Sequence, residues 1–419
     1  MKKRIAAMLA ASLLAGWALT GCAAVQAQNL TDDVQPNPVP VYNRIDEGQS
    51  AAVAQFSAQL LKQLGAEGGN VVCSPLSVLY AMAMTANGAD GETLAQMEAV
   101  LGMPVDQLNS YLHSTVNLLP SDEGYSFDIA NSIWIKDDEG KFVVNEDFLQ
   151  IVKDYYLASV YKAPFDDQTL KDINSWVAQE TEGQIQNILD KIDENAIMYL
   201  INALNFEAQW AKTYDEHQVD LMAFYKESGK MQEAEFMFSD ERGYLEDENT
   251  TGFIKYYKDR KYAYVALLPD EDVKFSDYVA SLDGEKITNL LNNADYAQKV
   301  RTAIPKYENT FETEMSAIFR NLGMTDAFDS RVADFSKLGT AQIEGENICI
   351  NRVIHKAFIR VAEQGTQAGA ATVVEMIAEG ALMPGAEPKK VWLDRPFVYM
   401  IIDTQNNLPL FIGAVCEIE

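Results

Sequence analysis

The sequence predicts a globular protein that contains both helices and strands, because helical and strand periodicities both occur in separate stretches. Residues 51–64 place apolar side chains at the spacing of an amphipathic helix. Residues 127–135 alternate at a period of two, and residues 197–206 form a nearly continuous apolar run, typical of a strand covered on both faces. With 419 residues and 48% hydrophobic content, the chain can build one large domain or two ordinary ones.

The N-terminus has the pattern of an export signal. Three basic residues, Lys2, Lys3 and Arg4, precede an apolar run that ends at Leu19. The following residues up to Cys22 resemble the lipobox of bacterial lipoproteins, although an ordinary signal with a chance cysteine is the alternative. We therefore expect a signal peptide at 1–21, a lipid on Cys22 and a flexible tether at 22–49. These features predict anchoring at the extracytoplasmic face of a bacterial membrane, or release to the extracellular space.

Charge and cysteine usage exclude several classes of function. The chain carries 33 Lys and Arg against 62 Asp and Glu, a formal charge of -29, which repels nucleic acid and anionic lipid. Its four cysteines form no CxxC pair and have no nearby histidines, so no metal or other cofactor is expected. Cys73, Cys349 and Cys416 lie in apolar contexts and are expected to be buried thiols without a structural disulfide.

An enzymatic function is not expected from the histidines. The chain has three, His113, His217 and His355, and neither a G-x-S-x-G elbow nor an H-E-x-x-H helix occurs. We therefore expect His355 to be a hydrogen-bonded structural residue.

Residues 363–376 have the pattern of a strand but the composition of a loop. At a period of two, one face consists of small and then apolar residues: Thr366, Ala368, Ala370, Thr372, Val374 and Met376. Glycines and alanines give the segment poor strand propensity, and it runs into a Gly- and Pro-containing stretch at 379–388. Either this is an Ala-rich surface loop, or it is a loop that can also enter a sheet as a strand.

This segment closely resembles the hinge of the inhibitory serpins, and other stretches resemble the same family in the right order. They are residues 70–77, 174–185, 197–206, 303–307 and 391–401, so the resemblance covers about residues 51–419. It implies the α+β serpin fold for a domain at 50–419. That fold has a large five-stranded central sheet, two smaller sheets, eight to nine helices and an exposed reactive-centre loop at about 364–388.

The resemblance also implies a set of residues that control opening of the main sheet. In this chain they are Ser74, Ser77, Asn202, Trp210, Lys306 and His355. Asn202 would hydrogen-bond to His355, and Lys306 would pair with Glu363 at the base of the hinge. Simpler roles remain open, since Ser74 before Pro75 is also a natural helix N-cap and Trp210 is also a plausible core aromatic.

The function implied by the resemblance is suicide inhibition of serine endopeptidases. A protease would form a covalent 1:1 complex with the loop, and the cleaved hinge would insert into the main sheet as a new strand. The hinge residues are Glu363, Gly365, Thr366, Gln367, Ala368, Gly369, Ala370, Ala371 and Thr372. The alternative is a non-inhibitory serpin that acts as a binding or carrier protein; such proteins usually have bulky, charged or proline residues in this hinge.

The family's spacing places the scissile bond at Glu379–Gly380, sixteen positions after Glu363. Because the loop is several residues longer than is common, Ala378, Ala381, Leu382 and Met383 stay in contention. No Lys or Arg occurs between Arg360 and Lys389, which excludes trypsin-like targets. Elastase-like or subtilisin-like proteases fit better, whereas Glu379 would suit a glutamate-selective protease.

Two further expectations concern partners. Residues 105–119 contain no Lys or Arg, so a glycosaminoglycan, which some family members bind in about this region, is not expected here. The protein is expected to be a monomer.

Overall fold

The computed structural model describes residues 25–42, 46–65, 68–119, 125–137, 142–181, 183, 185–193, 196–341, 347–366 and 387–418. Nine α-helices lie in these ranges: α1 (Glu47–Leu64), α2 (Pro75–Ala86), α3 (Gly91–Leu101), α4 (Val105–Leu118), α5 (Glu146–Ile151), α6 (Asp167–Glu180), α7 (Phe275–Ser281), α8 (Gly284–Asn292) and α9 (Ser316–Leu322). None of the helices in this part of the chain combines the length and the apolar character needed to cross a membrane.

Eighteen strands lie in the same ranges: β1 (Gln28–Asn29), β2 (Val71–Cys73), β3 (Tyr125–Lys136), β4 (Phe142–Val144), β5 (Ser159–Ala163), β6 (Met198–Gln209), β7 (Val219–Tyr225), β8 (Met231–Glu246), β9 (Thr250–Tyr256), β10 (Tyr262–Pro269), β11 (Asp295–Pro305), β12 (Tyr307–Glu314), β13 (Gly339–Ala341), β14 (Arg352–Ala362), β15 (Gly365–Thr366), β16 (Lys389–Trp392), β17 (Phe397–Asp403) and β18 (Leu408–Val415).

The main sheet has the strand order β1-β5-β3-β6-β15-β14-β12. Its five longer strands, β5, β3, β6, β14 and β12, form the predicted five-stranded central sheet. The two-residue strands β1 and β15 come from the N-terminal segment and from the hinge. The predicted α+β class is confirmed.

The predicted pair of smaller sheets is continuous in the described residues. The order is β16-β11-β8-β9-β10-β17-β18-β2, with β7 also paired to β8. The sixteen-residue strand β8 joins the two halves, because residues 231–244 pair with β7 or β11 and residues 242–246 pair with β9. A two-stranded ribbon of β4 and β13 completes the sheets.

The core lies between the main sheet and the second sheet. Phe206 of β6 meets Phe411 of β18 at a ring-centroid distance of 5.7 Å. Helix α2 contacts both of these strands and is buried over its whole length, which explains its lack of charged residues. Ser74 caps this helix by accepting a hydrogen bond from the Ser77 backbone N–H at 3.2 Å, and Pro75 occupies the first helical position, as predicted.

Helix α6 covers the opposite face of the main sheet. Its apolar side packs against Trp134 of β3 and Tyr199 of β6. The buried residues of the helix include Ile173, Trp176 and Val177. The main sheet is thus enclosed on both faces where α6 lies, which accounts for the continuous apolar run in β6.

The N-terminal segment differs from the prediction of a flexible tether at 22–49, because residues 25–42 are bound to the domain and α1 begins at Glu47. Gln28 pairs with Lys162, so β1 extends the edge of the main sheet at β5. The backbone N–H groups of Gln26 and Ala27 donate to Asp172 Oδ2 at 3.0 and 2.8 Å. The edge of β5 and the carboxylate of Asp172 satisfy backbone groups that a linker leaves to water.

Candidate functional site: the opening in the main sheet

The main sheet is closed at one end and parted at the other. Strands β6 and β14 run parallel and pair from Tyr199–Arg352 to Asn202–His355. At the other end the hinge strand β15 lies between them and is antiparallel to both. Between the two ends lie five residues of each strand, 203–207 and 356–360, that face each other across this opening.

The registers on the two sides of the opening agree. Thr366 pairs with Ala208 of β6 and with Val361 of β14. A strand that continued antiparallel for six residues would bring position 372 opposite residue 202 (208 − 6) and opposite residue 355 (361 − 6). Asn202 and His355 are themselves direct partners. One additional strand therefore fits both borders of the opening without a register shift.

The orientation of Thr366 fixes which face of such a strand would be buried. Thr366 is 1% exposed, and its hydroxyl lies 2.5 Å from the Tyr257 hydroxyl. Alternation along a strand would place residues 368, 370 and 372 on the same side, toward the core. This is the face that the sequence pattern predicts to be buried.

Trp210 and Tyr214 hold the turn before the hinge strand. The Trp210 backbone N–H donates to the Gln364 carbonyl at 2.9 Å, and its indole N–H donates to the Ala362 carbonyl at 2.8 Å. The Tyr214 backbone N–H donates to the Glu363 carbonyl at 3.0 Å. The Trp210 ring stacks on Tyr257 with centroids 4.5 Å apart. Trp210 is therefore a core aromatic and a hinge contact at once.

Lys306 forms the expected pair with Glu363. Lys306 Nζ lies 2.7 Å from Glu363 Oε1 and 2.9 Å from Glu235 Oε2. Burial acts to raise the pKa of Glu363, but the hydrogen bond from Lys306, the backbone hydrogen bond of Glu363 and the charges of Lys306 and Arg360 together outweigh it, so the pKa lies below its usual value. The same hydrogen bond raises the pKa of Lys306. Both groups are therefore charged at neutral pH.

A buried polar network closes the other end of the opening. His355 Nδ1 lies 3.0 Å from Asn202 Oδ1, and His355 Nε2 accepts from the Ser74 backbone N–H at 3.4 Å. Ser77 Oγ donates to Asn202 Oδ1 at 2.7 Å. Burial lowers the pKa of His355 to about 4, so the ring is neutral and donates through Nδ1. Its fully buried position gives it no access to a substrate.

Sequence reasoning missed four residues at this site: Asn131, Glu241, Lys255 and Tyr257. The side-chain amide of Asn202 donates to Asn131 Oδ1 at 2.6 Å. Lys255 Nζ lies 2.6 Å from Glu241 Oε1, and the lysine side chain is only 2% exposed. A polar residue inside an alternating strand, such as Asn131 in β3, was a usable signal, whereas the burial of Lys255 depends on tertiary packing.

Several predicted positions lie outside the described residues. They are the predicted signal peptide, Cys22, the hinge residues Gln367–Thr372, the scissile-bond candidates Ala378–Met383 and the rest of the loop up to residue 386. Of the three other cysteines, Cys73 and Cys349 are buried and Cys416 is partly exposed. Among the described residues, no group of three or more His, Cys, Asp or Glu side chains is arranged to hold a metal ion.

The main sheet parts between the parallel strands β6 and β14, and the hinge strand β15 occupies one end of the gap. This geometry defines a class of protein whose main sheet has room for one more strand. A family-wide sequence profile identifies the family: the profile described as Serpin (serine protease inhibitor) matches residues 51–418. The chain belongs to the serpin family.

Individual relatives agree with this assignment. An uncharacterised serpin-like protein of Thermococcus kodakarensis is 30% identical over 396 residues, which cover 92% of this chain and 90% of the relative. The native-state crystal structure of tengpin, a thermophilic serpin, superposes with a TM-score of 0.88 at 45% identity, covering 94% of this chain and all of tengpin. The latent-state structure of tengpin gives 0.79 at 43% identity, covering 90% of this chain and all of the other. The described fold is thus more similar to the native than to the latent structure.

Proposed function

We propose that this protein is a suicide-substrate inhibitor of serine endopeptidases that traps its target by inserting the cleaved loop between β6 and β14. The observation that carries the proposal is the matching register on the two borders of the opening. Gly365 and Thr366 are already paired on both sides, and six further residues would reach Asn202 and His355 in step with both strands. Because β6 and β14 already offer the same register to an inserting strand, release of the loop is the only further change that the proposed insertion requires.

The trap begins as ordinary proteolysis. The serine oxygen of the protease bonds to the carbonyl carbon before the scissile bond, the C–N bond breaks, and the new amino terminus leaves with a proton. Cleavage frees the hinge, and the residues after Thr366 enter the sheet while the protease is still an acyl-enzyme. The thirteen residues from 367 to 379 would carry the protease roughly 43 Å at about 3.3 Å per residue. Distortion at the end of this travel would prevent deacylation.

Insertion is favourable because the opening leaves the native sheet one strand short. The incoming strand would form hydrogen bonds with backbone groups of residues 203–207 and 356–360 that border the gap. The hydrogen bond between Asn202 and His355 must open when position 372 arrives. The small side chains at 368, 370 and 372 keep the steric cost of entry low.

The target follows from the loop sequence. With Glu379–Gly380 as the scissile bond and Ala378, Ala381, Leu382 and Met383 as alternatives, elastase-like and subtilisin-like proteases are the favoured targets. Glu379 itself would fit a glutamate-selective protease. The absence of basic residues between Arg360 and Lys389 disfavours trypsin-like proteases.

The cellular location is also a proposal. A lipid on Cys22 would anchor the protein outside the cytoplasm. Val25 packs against the domain, and the Gln26 backbone N–H donates to Asp172. Cys22 lies three residues before Val25, so the lipidated residue would be at most about 11 Å from the first residue that contacts the domain. We propose that the domain lies close to the bilayer, and mass spectrometry of the membrane-extracted protein would detect the lipid on Cys22.

The experiment that tests inhibition mixes residues 23–419 with pancreatic elastase and, separately, with subtilisin. We expect a complex that survives denaturing electrophoresis, together with a released C-terminal peptide that begins at Gly380 or a near neighbour. Clean cleavage without a complex, repeated over a broad protease panel, would favour the non-inhibitory alternative.

A further inference from the structure

A fully enclosed lysine lies beside the hinge. The Lys255 side chain is 2% exposed, and Nζ lies 2.6 Å from Glu241 Oε1 and 3.4 Å from the Lys212 carbonyl oxygen. Burial acts to lower the pKa of Lys255, but the interactions with Glu241 and Tyr214 together outweigh it, and the pKa lies above the usual value. The group is therefore a buried cation. A buried ion pair costs desolvation free energy and is often no more stabilising than apolar residues of similar volume.

The cation contacts the two residues that hold the hinge turn. Nζ lies 4.4 Å from the centroid of the Tyr214 ring and 5.2 Å from that of Trp210, within the range of a cation–π interaction. These are the residues whose backbone N–H groups donate to the carbonyls of Glu363 and Gln364. The single positive charge of Lys255 thus contacts both Trp210 and Tyr214, the two residues that donate hydrogen bonds to the turn.

Glu241 fixes the same aromatic residue from its other end. The Tyr214 hydroxyl lies 3.1 Å from Ser239 Oγ, and Ser239 Oγ donates to Glu241 Oε1 at 2.7 Å. Lys255 therefore contacts the ring of Tyr214, while the Tyr214 hydroxyl is connected through Ser239 to Glu241, the carboxylate that pairs with Lys255. A change in either charged residue would loosen Tyr214 and with it the Glu363 carbonyl.

We propose that the Lys255–Glu241 pair is a latch that holds the hinge turn, residues 362–366, and thereby sets the rate at which a strand enters the main sheet. Lys255 acts through Trp210 and Tyr214, so it is a positioning residue. The proposal rests on the proposed function, because entry of a strand is the central step of that function.

The test uses a synthetic peptide with the chain's own residues 366–379, labelled with a fluorophore and incubated with the intact mature protein. The rate of stable peptide incorporation is followed by native electrophoresis. We compare the wild type, Lys255→Met, which keeps the chain length without the charge, and Lys255→Arg, which keeps the charge. We expect Lys255→Met to incorporate the peptide about tenfold faster, consistent with the loss of two partly desolvated cation–π contacts. Lys255→Arg should stay within about threefold of the wild type.

Lys286→Met is the matched control. Lys286 Nζ lies 3.2 Å from Asp247 Oδ2 and 4.9 Å from the Tyr278 ring centroid, so the same ion pair and ring contact are removed at α8, away from the hinge. Urea unfolding of every variant separates local from global loosening. Acceleration in Lys255→Met alone supports the latch. Equal acceleration in Lys286→Met, or acceleration only in proportion to lost stability, overturns it.

The remaining outcomes also decide between proposals. Incorporation at equal rates in the wild type and Lys255→Met would overturn the latch and leave the inhibitor proposal standing. If no form incorporates the peptide on warming, strand entry itself fails and both proposals fall. Should Lys255→Met not fold, Glu241→Gln removes the same ion pair with a smaller change of shape; acceleration supports the latch, and an unchanged rate overturns it.

Discussion

Lys306 Nζ lies 2.7 Å from Glu363 Oε1, and this contact joins the junction of β11 and β12 to the turn that starts the hinge. Because Lys306 also contacts Glu235 in β8 at 2.9 Å, one ammonium group connects the two sheets with the base of the reactive-centre loop. In the proposed mechanism, the inserting strand enters the sheet beside this contact. Its effect on the rate of hinge entry should therefore exceed its effect on the stability of the fold.

Removing this pair should have a small effect on stability and a larger effect on conversion. Both side chains are about one-third exposed, so we expect Glu363→Gln to cost roughly 0.5–1 kcal/mol of unfolding free energy. The native form should convert several-fold faster to a loop-inserted form on mild heating, as measured by native electrophoresis. Glu308→Gln, which breaks the 3.9 Å contact with Arg360 on the exposed face, is the control. A conversion rate equal to that of the control would contradict this role.

The pair also predicts a pH dependence. The pKa of Glu363 is lowered from its usual 4.5 in the folded protein, so its stabilisation is present above pH 4.5 and is lost as the pH falls through the lowered value. The pKa of Lys306 is raised from 10.5, so its part is present below pH 10.5 and is lost above that value. Urea unfolding from pH 3 to 7 should show a steeper acid loss in the wild type than in Glu363→Gln. Parallel curves would argue against this coupling.

His355 should make the protein sensitive to mild acid. Its pKa is lowered from 6.5 to about 4 by burial, so between these values the unfolded chain binds a proton that the folded protein does not. Stability should therefore fall by roughly 3 kcal/mol as the pH decreases from about 6.5 to 4. His355→Gln should be less stable at pH 7 because the contacts to Ser74 and Asn202 change, but its stability should fall less over this interval. A slope unchanged from the wild type would show that His355 does not titrate in this way.

A matched pair of hinge substitutions tests the face that inserts. Continuing the register of Thr366, position 370 would lie beside Ala357, which is fully buried, and position 371 beside Lys356 on the other face. Ala370→Glu would bury an unpaired carboxylate, which costs several kcal/mol, so the protease should cleave the loop and escape. Ala371→Glu should keep at least half of the complex yield on denaturing gels. Equal yields from the two variants would rule out the proposed register.

Asp172 should anchor the N-terminal segment. It is buried and accepts backbone hydrogen bonds from Gln26 and Ala27, so Asp172→Ala should cost about 2–3 kcal/mol of unfolding free energy and expose residues 25–42 to proteolysis. Asp167→Ala, an exposed first-turn residue of the same helix, should cost no more than about 1 kcal/mol. An N-terminal segment equally resistant in both variants would contradict the anchoring role.

The parts of the site that the sequence could predict have local patterns. The alternation after Glu363 predicted the buried face to which Thr366 belongs, whereas the contact between Asn202 and His355 was implied by the resemblance to the serpin family. The Lys255–Glu241 pair could not be found this way, because a lysine in a strand is ordinarily exposed and only the packing of Trp210 and Tyr214 encloses this one.

The N-terminal segment shows the other limit of sequence reasoning. Prolines and polar residues between 23 and 49 have the composition of a linker. Its binding depends on features of distant segments, namely the edge of β5 and the buried carboxylate of Asp172. Likewise, the length of β8, and so the continuity of the second sheet, is set by pairing with three different strands.

Amide hydrogen exchange before and after cleavage of the loop tests the central claim most directly. The claim predicts that cleavage slows exchange at those amides of residues 203–207 and 356–360 that face the opening, and leaves exchange at Ala208 and Val361 nearly unchanged, since Thr366 already pairs there. Loop cleavage that leaves the exchange of both segments unchanged would show that the sheet does not accept the hinge as a strand.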